Sequence, residues 1–220
     1  MKKPFYLLFF MAMPFFSHSQ VRIGVQGGFA FARTAMAGYA FQDLQTSFKL
    51  GPMAGIMVGL NLGESNLSLM QEFNYVFKGA KIRATDLSTS APVSVTGNHT
   101  TQYLEMPLNL LYYLDAGNGH FFFGAGPYAA LGMGGSNKYT YSIEDAAEAE
   151  DSEVKFGKGM DQLRKWDFGL QGLVGYKLGY GSYIKAYYAH GLSDLSNSGA
   201  FTYHNRYFGL SFGYFFGSGK

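Results

Sequence analysis

Apolar side chains recur at every second position through much of this chain. In 102-QYLEMPLNLLYYL-114, Leu104, Met106, Leu108, Leu110, Tyr112 and Leu114 share one parity, while Glu105, Pro107 and Asn109 take the other. A period of two puts these sets on opposite faces of a strand, whereas a helix would scatter both around its circumference. The same rule divides 66-NLSLMQEFNYVFK-78 into Leu67, Leu69, Phe73, Tyr75 and Phe77 against Asn66, Ser68, Glu72, Asn74 and Lys78. From 166 onward Trp166, Phe168, Leu170, Val174 and Tyr176 oppose Asp167, Gln171 and Lys177. Beyond a Gly-Tyr-Gly turn, Ile184, Ala186 and Tyr188 oppose Tyr183, Lys185 and Tyr187. Near the end Phe208, Leu210, Phe212, Tyr214 and Phe216 oppose Asn205, Gly209, Ser211 and Gly213. With weaker alternation over 21–33 and 48–62 and a mostly apolar stretch at 119–133, the pattern predicts eight strands, near 21–33, 48–62, 65–79, 101–115, 119–133, 163–177, 180–190 and 203–216.

Their connections alternate between short turns rich in Gly, Asn and Asp and longer segments at 34–47, 80–100, 134–162 and 191–202. In a closed antiparallel meander every second connection lies at the same end, so short turns gather on one side and long loops on the other. That asymmetry, with an even strand count, predicts an all-β, eight-stranded antiparallel up-and-down transmembrane β-barrel with its long loops outside the cell. A soluble sandwich would also alternate, but it would hide its apolar face and show charge to water. Here 18% of residues are aromatic and only 15% are charged, which suits an outward apolar face better than an inward one.

The first residues supply a compartment. Lys2 and Lys3 precede an apolar run from Phe5 to Phe16, and Ser17 and Ser19 stand where a small-x-small cleavage pattern requires them. The expected organisation is a signal peptide over 1–19 and a barrel domain over 20–220, placed in the cell outer membrane. Loss of Lys2 and Lys3 would leave basic and acidic side chains in balance, which gives no argument for a nucleic-acid partner. Absence of cysteine excludes a disulfide scaffold, a thiolate metal site and a lipid-modified N-terminal cysteine.

The stretches 20-QVRIGVQGG-28, 51-GPMAGIMVGLNLG-63, 103-YLEMPLNL-110, 121-FFFGAGPYAALGMGG-135, 166-WDFGLQGLVGYKLG-179 and 207-YFGLSFGYFF-216 resemble the outer-membrane β-barrel domain widespread in Bacteroidetes, the PorT-like group. The resemblance spans essentially the whole chain after the signal. It implies a small eight-stranded barrel and carries no functional residue motif. Such chains often end on an aromatic residue recognised by the barrel assembly machinery, whereas here Phe216 is followed by Gly-Ser-Gly-Lys.

Few motifs point to chemistry. Gly124-Ala-Gly126-Pro-Tyr-Ala129 matches a dinucleotide fingerprint in letters, but it lacks the helix that fingerprint must open. Gly124 and Gly126 are read instead as lumen-facing positions that leave room for bulky neighbours such as Tyr128. His190, Ser193 and Asp194 share one loop region, an adjacency that loop composition supplies by chance. No catalytic residue, metal site or cofactor is expected.

The inward ionisable set is more specific. A lumenal polar network is expected from Glu72, Glu105, Asp167, Gln171 and Lys185, with Lys78 and Lys177 on the same face, because unpaired charges in a narrow barrel are costly. Trp166 and Tyr203 are expected at the membrane interface, with Tyr39, Tyr139 and Tyr141 beside the outer loops. The acidic run 144-EDAAEAEDSE-153 is read as a solvated loop tip. The expected function is a non-enzymatic outer-membrane barrel with a structural or surface-interaction role; the alternative is a narrow transport or secretion-associated component. Expected partners are outer-membrane lipid and lipopolysaccharide, the barrel assembly machinery during insertion, and, under the alternative, a secretion complex.

Overall fold

The computed structural model describes residues 21–38, 45–63, 65–86, 93–143, 146–198 and 201–216. The segment expected to be a signal peptide, Tyr39 and the residues after Phe216 fall outside that set. Nine strands are found among the described residues: β1 (Val21–Gly38), β2 (Gln45–Asn61), β3 (Leu67–Asp86), β4 (Val93–Ala116), β5 (Gly119–Ile143), β6 (Ala146–Glu153), β7 (Trp166–Leu178), β8 (Ser182–Gly191) and β9 (Phe201–Phe215). Every pairing between them is antiparallel. Neighbouring strands follow the order β4, β3, β2, β1, β9, β8, β7, β5, and the β4–β5 pairing closes the ring. Eight strands therefore make the ring, as the alternation predicts.

The ninth strand is a correction. β6 carries most of the acidic run that was expected to be a loop tip, and it pairs with Ser136–Ile143 of β5 above the level where β7 begins. The run is solvated as expected, with every residue of β6 exposed, but it is a strand. No apolar alternation marks it, because neither of its faces is covered. Its carboxylates stand on the free edge of the upper sheet, where charge discourages pairing with another chain.

β4 and β5 are 24 and 25 residues long. Since nine to eleven tilted residues cross an apolar band, their upper halves, with those of β2 and β3, rise beyond the membrane as a twisted sheet. The short turns sit at the opposite end; Gly117, with φ of 61°, turns the chain between β4 and β5 in a conformation that suits glycine. Pro107 has no N–H to give to its ladder, and Gln71 Nε2 donates to its carbonyl oxygen at 3.1 Å.

Outward positions carry Val21, Ile23, Phe29, Leu50, Ile56, Leu110, Phe121, Phe168, Val174, Phe208 and Phe212, all exposed. Inward positions are filled by Met57, Tyr103, Leu111, Phe122, Tyr128, Tyr183, Tyr187, Tyr207 and Phe215, all buried. These rings fit because each of four lies over a glycine directly opposite on the next strand. The pairs are Phe122 with Gly175, Tyr128 with Gly169, Tyr187 with Gly209 and Tyr183 with Gly213. The room for Tyr128 thus comes from Gly169, not from Gly124 or Gly126; Gly124 does leave room for a bulky neighbour, Leu111, whereas Gly126 abuts the backbone of β4 at Leu108.

A Cβ on Gly209 would lie 2.0 Å from the Tyr187 ring. Gly209→Val is therefore expected to cost about 1–3 kcal/mol through overpacking. The measurement is the urea midpoint for loss of the compact, heat-modifiable form in detergent, and pairing with Tyr187→Ala should recover most of the loss.

Candidate functional site

The ring encloses two charged layers, each built from inward positions of several strands. In the lower layer Glu72 of β3 meets Lys185 of β8 across the lumen, Nζ to Oε1 at 2.6 Å, with both side chains 1% exposed. Its other oxygen, Oε2, accepts from Gln26 Nε2 at 2.6 Å and Asn74 Nδ2 at 2.9 Å. Tyr183 donates its hydroxyl to Gln26 Oε1 at 2.7 Å, tying β8 to β1. Glu72 thus spends its lone pairs on one cation and two amides, which offsets part of the cost of burying a carboxylate.

The upper layer centres on Lys78, which sequence reasoning placed on the inward face but not at the hub. Its ammonium donates to Glu105 Oε2 and lies 4.0 Å from Asp167 Oδ2. Around it stand the rings of Tyr207, Tyr103 and Tyr128, with centroids 4.4, 5.0 and 5.1 Å from Nζ. Tyr207 donates its hydroxyl to Glu105 Oε1, while Asp167 Oδ2 accepts from Asn205 Nδ2 at 2.9 Å. One cation therefore serves two carboxylates, and the aromatic faces add attraction for it in a buried setting.

The structure thus brings Glu105 and Asp167 to one layer and Glu72 and Lys185 to the other. Gln171 lies inward and buried, but its Nε2 has no protein partner among the described residues and it joins neither layer. Trp166 is outward, 47% exposed and stacked on Phe168.

Tyr203 corrects the expectation: it is 1% exposed and points inward. Its hydroxyl accepts from Thr34 Oγ1 at 3.3 Å and lies 2.6 Å from His99 Nε2, so it belongs to a polar lid above the upper layer. Its parity, shared with Asn205 and Tyr207, carried that signal, and its position beside a loop obscured it. Tyr139 and Tyr141, on the upper part of β5, are partly buried above the ring.

The lumen is covered at both ends. On the loop side Leu195 is fully buried, Leu195 N donates to Tyr203 O at 2.9 Å, and Arg164 N donates to Leu195 O at 2.8 Å. Phe156 packs edge-on against Tyr103 with centroids 5.5 Å apart. On the turn side Arg22 lies over the Phe215 ring at 5.3 Å and donates to Asn61 Oδ1 at 2.7 Å.

The loop that holds Ser193 and Asp194 serves this cover. Ser193 Oγ accepts from Phe168 N at 2.9 Å, and Asp194 Oδ1 accepts from Ser196 N and Tyr203 N at 3.0 and 2.9 Å. His190 instead lies 3.2 Å from Tyr188 Oη, so the three residues form no nucleophile, base and orienter relay. Among the described residues no group of three or more histidines or carboxylates is arranged to hold a metal ion.

A family model described as an outer membrane protein beta-barrel domain matches residues 13–197. No curated protein matches the sequence. Among solved structures, the outer membrane protein OprG from Pseudomonas aeruginosa is similar at 14% identity and a TM-score of 0.45, covering 90% of this chain and 97% of that one. Neisserial surface protein A is similar at 11% identity and a TM-score of 0.39, covering 87% and 96%. The attachment invasion locus protein of Yersinia pestis is similar at 12% identity and a TM-score of 0.36, covering 89% and 99%.

Proposed function

This chain belongs to the outer membrane protein beta-barrel domain family, and we propose that in the outer membrane it works as a closed, non-enzymatic barrel that presents a surface outside the cell. The observation that carries this reading is the filled lumen. Two ion-paired layers, the tyrosines around them and a cover at each end leave the interior as a solid support, in keeping with the width that eight strands enclose. The upper strands then act as the working part: they hold a sheet and a stitched loop outside the membrane on a base that does not deform. The likeness of 103-YLEMPLNL-110 and 166-WDFGLQGLVGYKLG-179 to the PorT-like group of Bacteroidetes supports a place for the chain in that group.

Refolded protein, shown by heat-modifiable migration to be compact, should leave a planar bilayer electrically silent. Sustained unitary conductance from the unaltered protein would overturn the reading and favour a narrow transport component.

A further inference from the structure

We propose that Asn109 of β4 and Gln171 of β7 bind a buried water molecule between them, over Gly126 of β5. Gln171 is the cross-strand partner of Gly126, and a Cβ on Gly126 would lie 2.9 Å from the Asn109 Cα, so the two amides flank a position without a side chain. Across one intervening strand their Cα atoms stand about 10 Å apart, two strand spacings. Asn109 is 0% and Gln171 3% exposed. Even so, Asn109 Nδ2, Asn109 Oδ1 and Gln171 Nε2 are buried with no hydrogen-bond partner among the described residues. Their neighbours in the same row, Met70 beside Asn109 and Ala189 beside Gln171, carry no N–H, O–H or carbonyl on their side chains. The hydroxyls of Tyr128 and Tyr207 are committed to Asp167 and Glu105.

The unmet groups define the ligand. Two amide nitrogens need acceptors and one carbonyl oxygen needs a donor. A bare anion has no proton for Asn109 Oδ1, and a bare cation cannot accept from Nδ2 or Nε2, whereas water does both. Interchanging the oxygen and nitrogen of Asn109 leaves this requirement unchanged, since neither atom has a partner. Gly126 and Ala189, the small residues on either side of Gln171, supply the room. A water held in this way satisfies polar groups that side-chain packing leaves over. It joins β4 to β7 across the strand that offers no side chain at this level. The other inward amides differ, because Gln26 and Asn74 donate to Glu72 and Asn205 donates to Asp167.

The inference rests on these two amides and not on the electrical silence of the barrel. The sample is the full chain, isotope-labelled and refolded in detergent, and the probe is water itself. Rotating-frame cross-relaxation, whose sign separates dipolar contact from proton exchange, should connect water to the side-chain amide protons of Asn109 and Gln171. Gln26, Asn74 and Asn205 should show no such contact. In urea titrations Asn109→Leu and Gln171→Met should each raise the unfolding equilibrium constant about tenfold, because each leaves the water and the other amide short of a partner. The double variant removes both amides and should return to within about threefold of the parent. Should either single variant fail to refold, the cross-relaxation measurement on the unaltered chain decides alone. Absence of water contact at Asn109 and Gln171 would overturn the assignment, as would single effects that simply add in the double variant. Equal contact at all five amides would replace one seat with a continuous water column and overturn it too. Conductance in a planar bilayer, with water contact confined to Asn109 and Gln171, would sink the closed-barrel reading and leave this site standing.

Discussion

Lys78→Met should be among the most destabilising single substitutions in this protein, lowering the stability of the folded ring by about 3–5 kcal/mol. Its ammonium serves both Glu105 and Asp167, and the side chains of Lys78, Glu105 and Asp167 are 0, 3 and 0% exposed. Methionine fills a similar volume, so packing is nearly preserved and the loss reads the charge. Two buried carboxylates would then share Tyr207, Asn205 and Tyr128 with no cation, and the three tyrosine rings around the lysine would lose the charge that their faces attract. The measurement is equilibrium urea unfolding in lipid vesicles, followed by the heat-modifiable band. Glu105→Gln added to Lys78→Met should recover part of the loss, and Asp167→Asn added to both should recover more. A Lys78→Met protein as stable as the parent would mean that this layer holds no net charge pairing at all.

The sequence makes the members of these layers visible but not their pairing. Strict alternation fixes the face of Glu72, Lys78, Glu105, Asp167 and Lys185, because a strand offers only two directions. Which acid meets which base depends on the stagger of strands around the closed ring. Lys185 reaches Glu72 across the lumen from a strand 113 residues away in sequence. Nothing local distinguishes Lys78, the hub, from Lys177, which lies inward near the turn side beside Tyr113 and Phe122.

Tyr203 shows the same rule neglected: odd parity with Asn205 and Tyr207 places it inside, although loop proximity suggested the interface. β6 is different in kind. Its ladder forms on a polar extension of β5, with neither face buried, so hydrophobic periodicity has nothing to report there. Of the glycines opposite Phe122, Tyr128, Tyr183 and Tyr187, alternation places Gly209 and Gly213 inward directly, and Gly169 and Gly175 share the parity of Asp167. Their purpose appears only once register sets each ring against its glycine.

The lower layer should respond differently to the same operation, because its charges balance. Lys185→Met leaves Glu72 with two amide donors and no cation, and Glu72→Gln leaves a buried ammonium 5.3 Å from the Tyr187 ring with no carboxylate. Each single substitution should cost about 3–5 kcal/mol, since breaking a buried pair strands the remaining charge. The double variant Glu72→Gln with Lys185→Met removes both charges together, while the Gln26 and Asn74 amides can still donate to the new glutamine oxygen. It should fall within about 1 kcal/mol of the parent, because a neutral replacement of a buried pair no longer suffers the desolvation of either ion. In the upper layer the matching double, Lys78→Met with Glu105→Gln, should stay well below the parent, because Asp167 remains behind. Urea midpoints for the two doubles, measured side by side, therefore count the charges in each layer: near-complete recovery in one and partial recovery in the other is expected. Equal recovery would show that Asp167 is held by Asn205 and Tyr128 without help from Lys78.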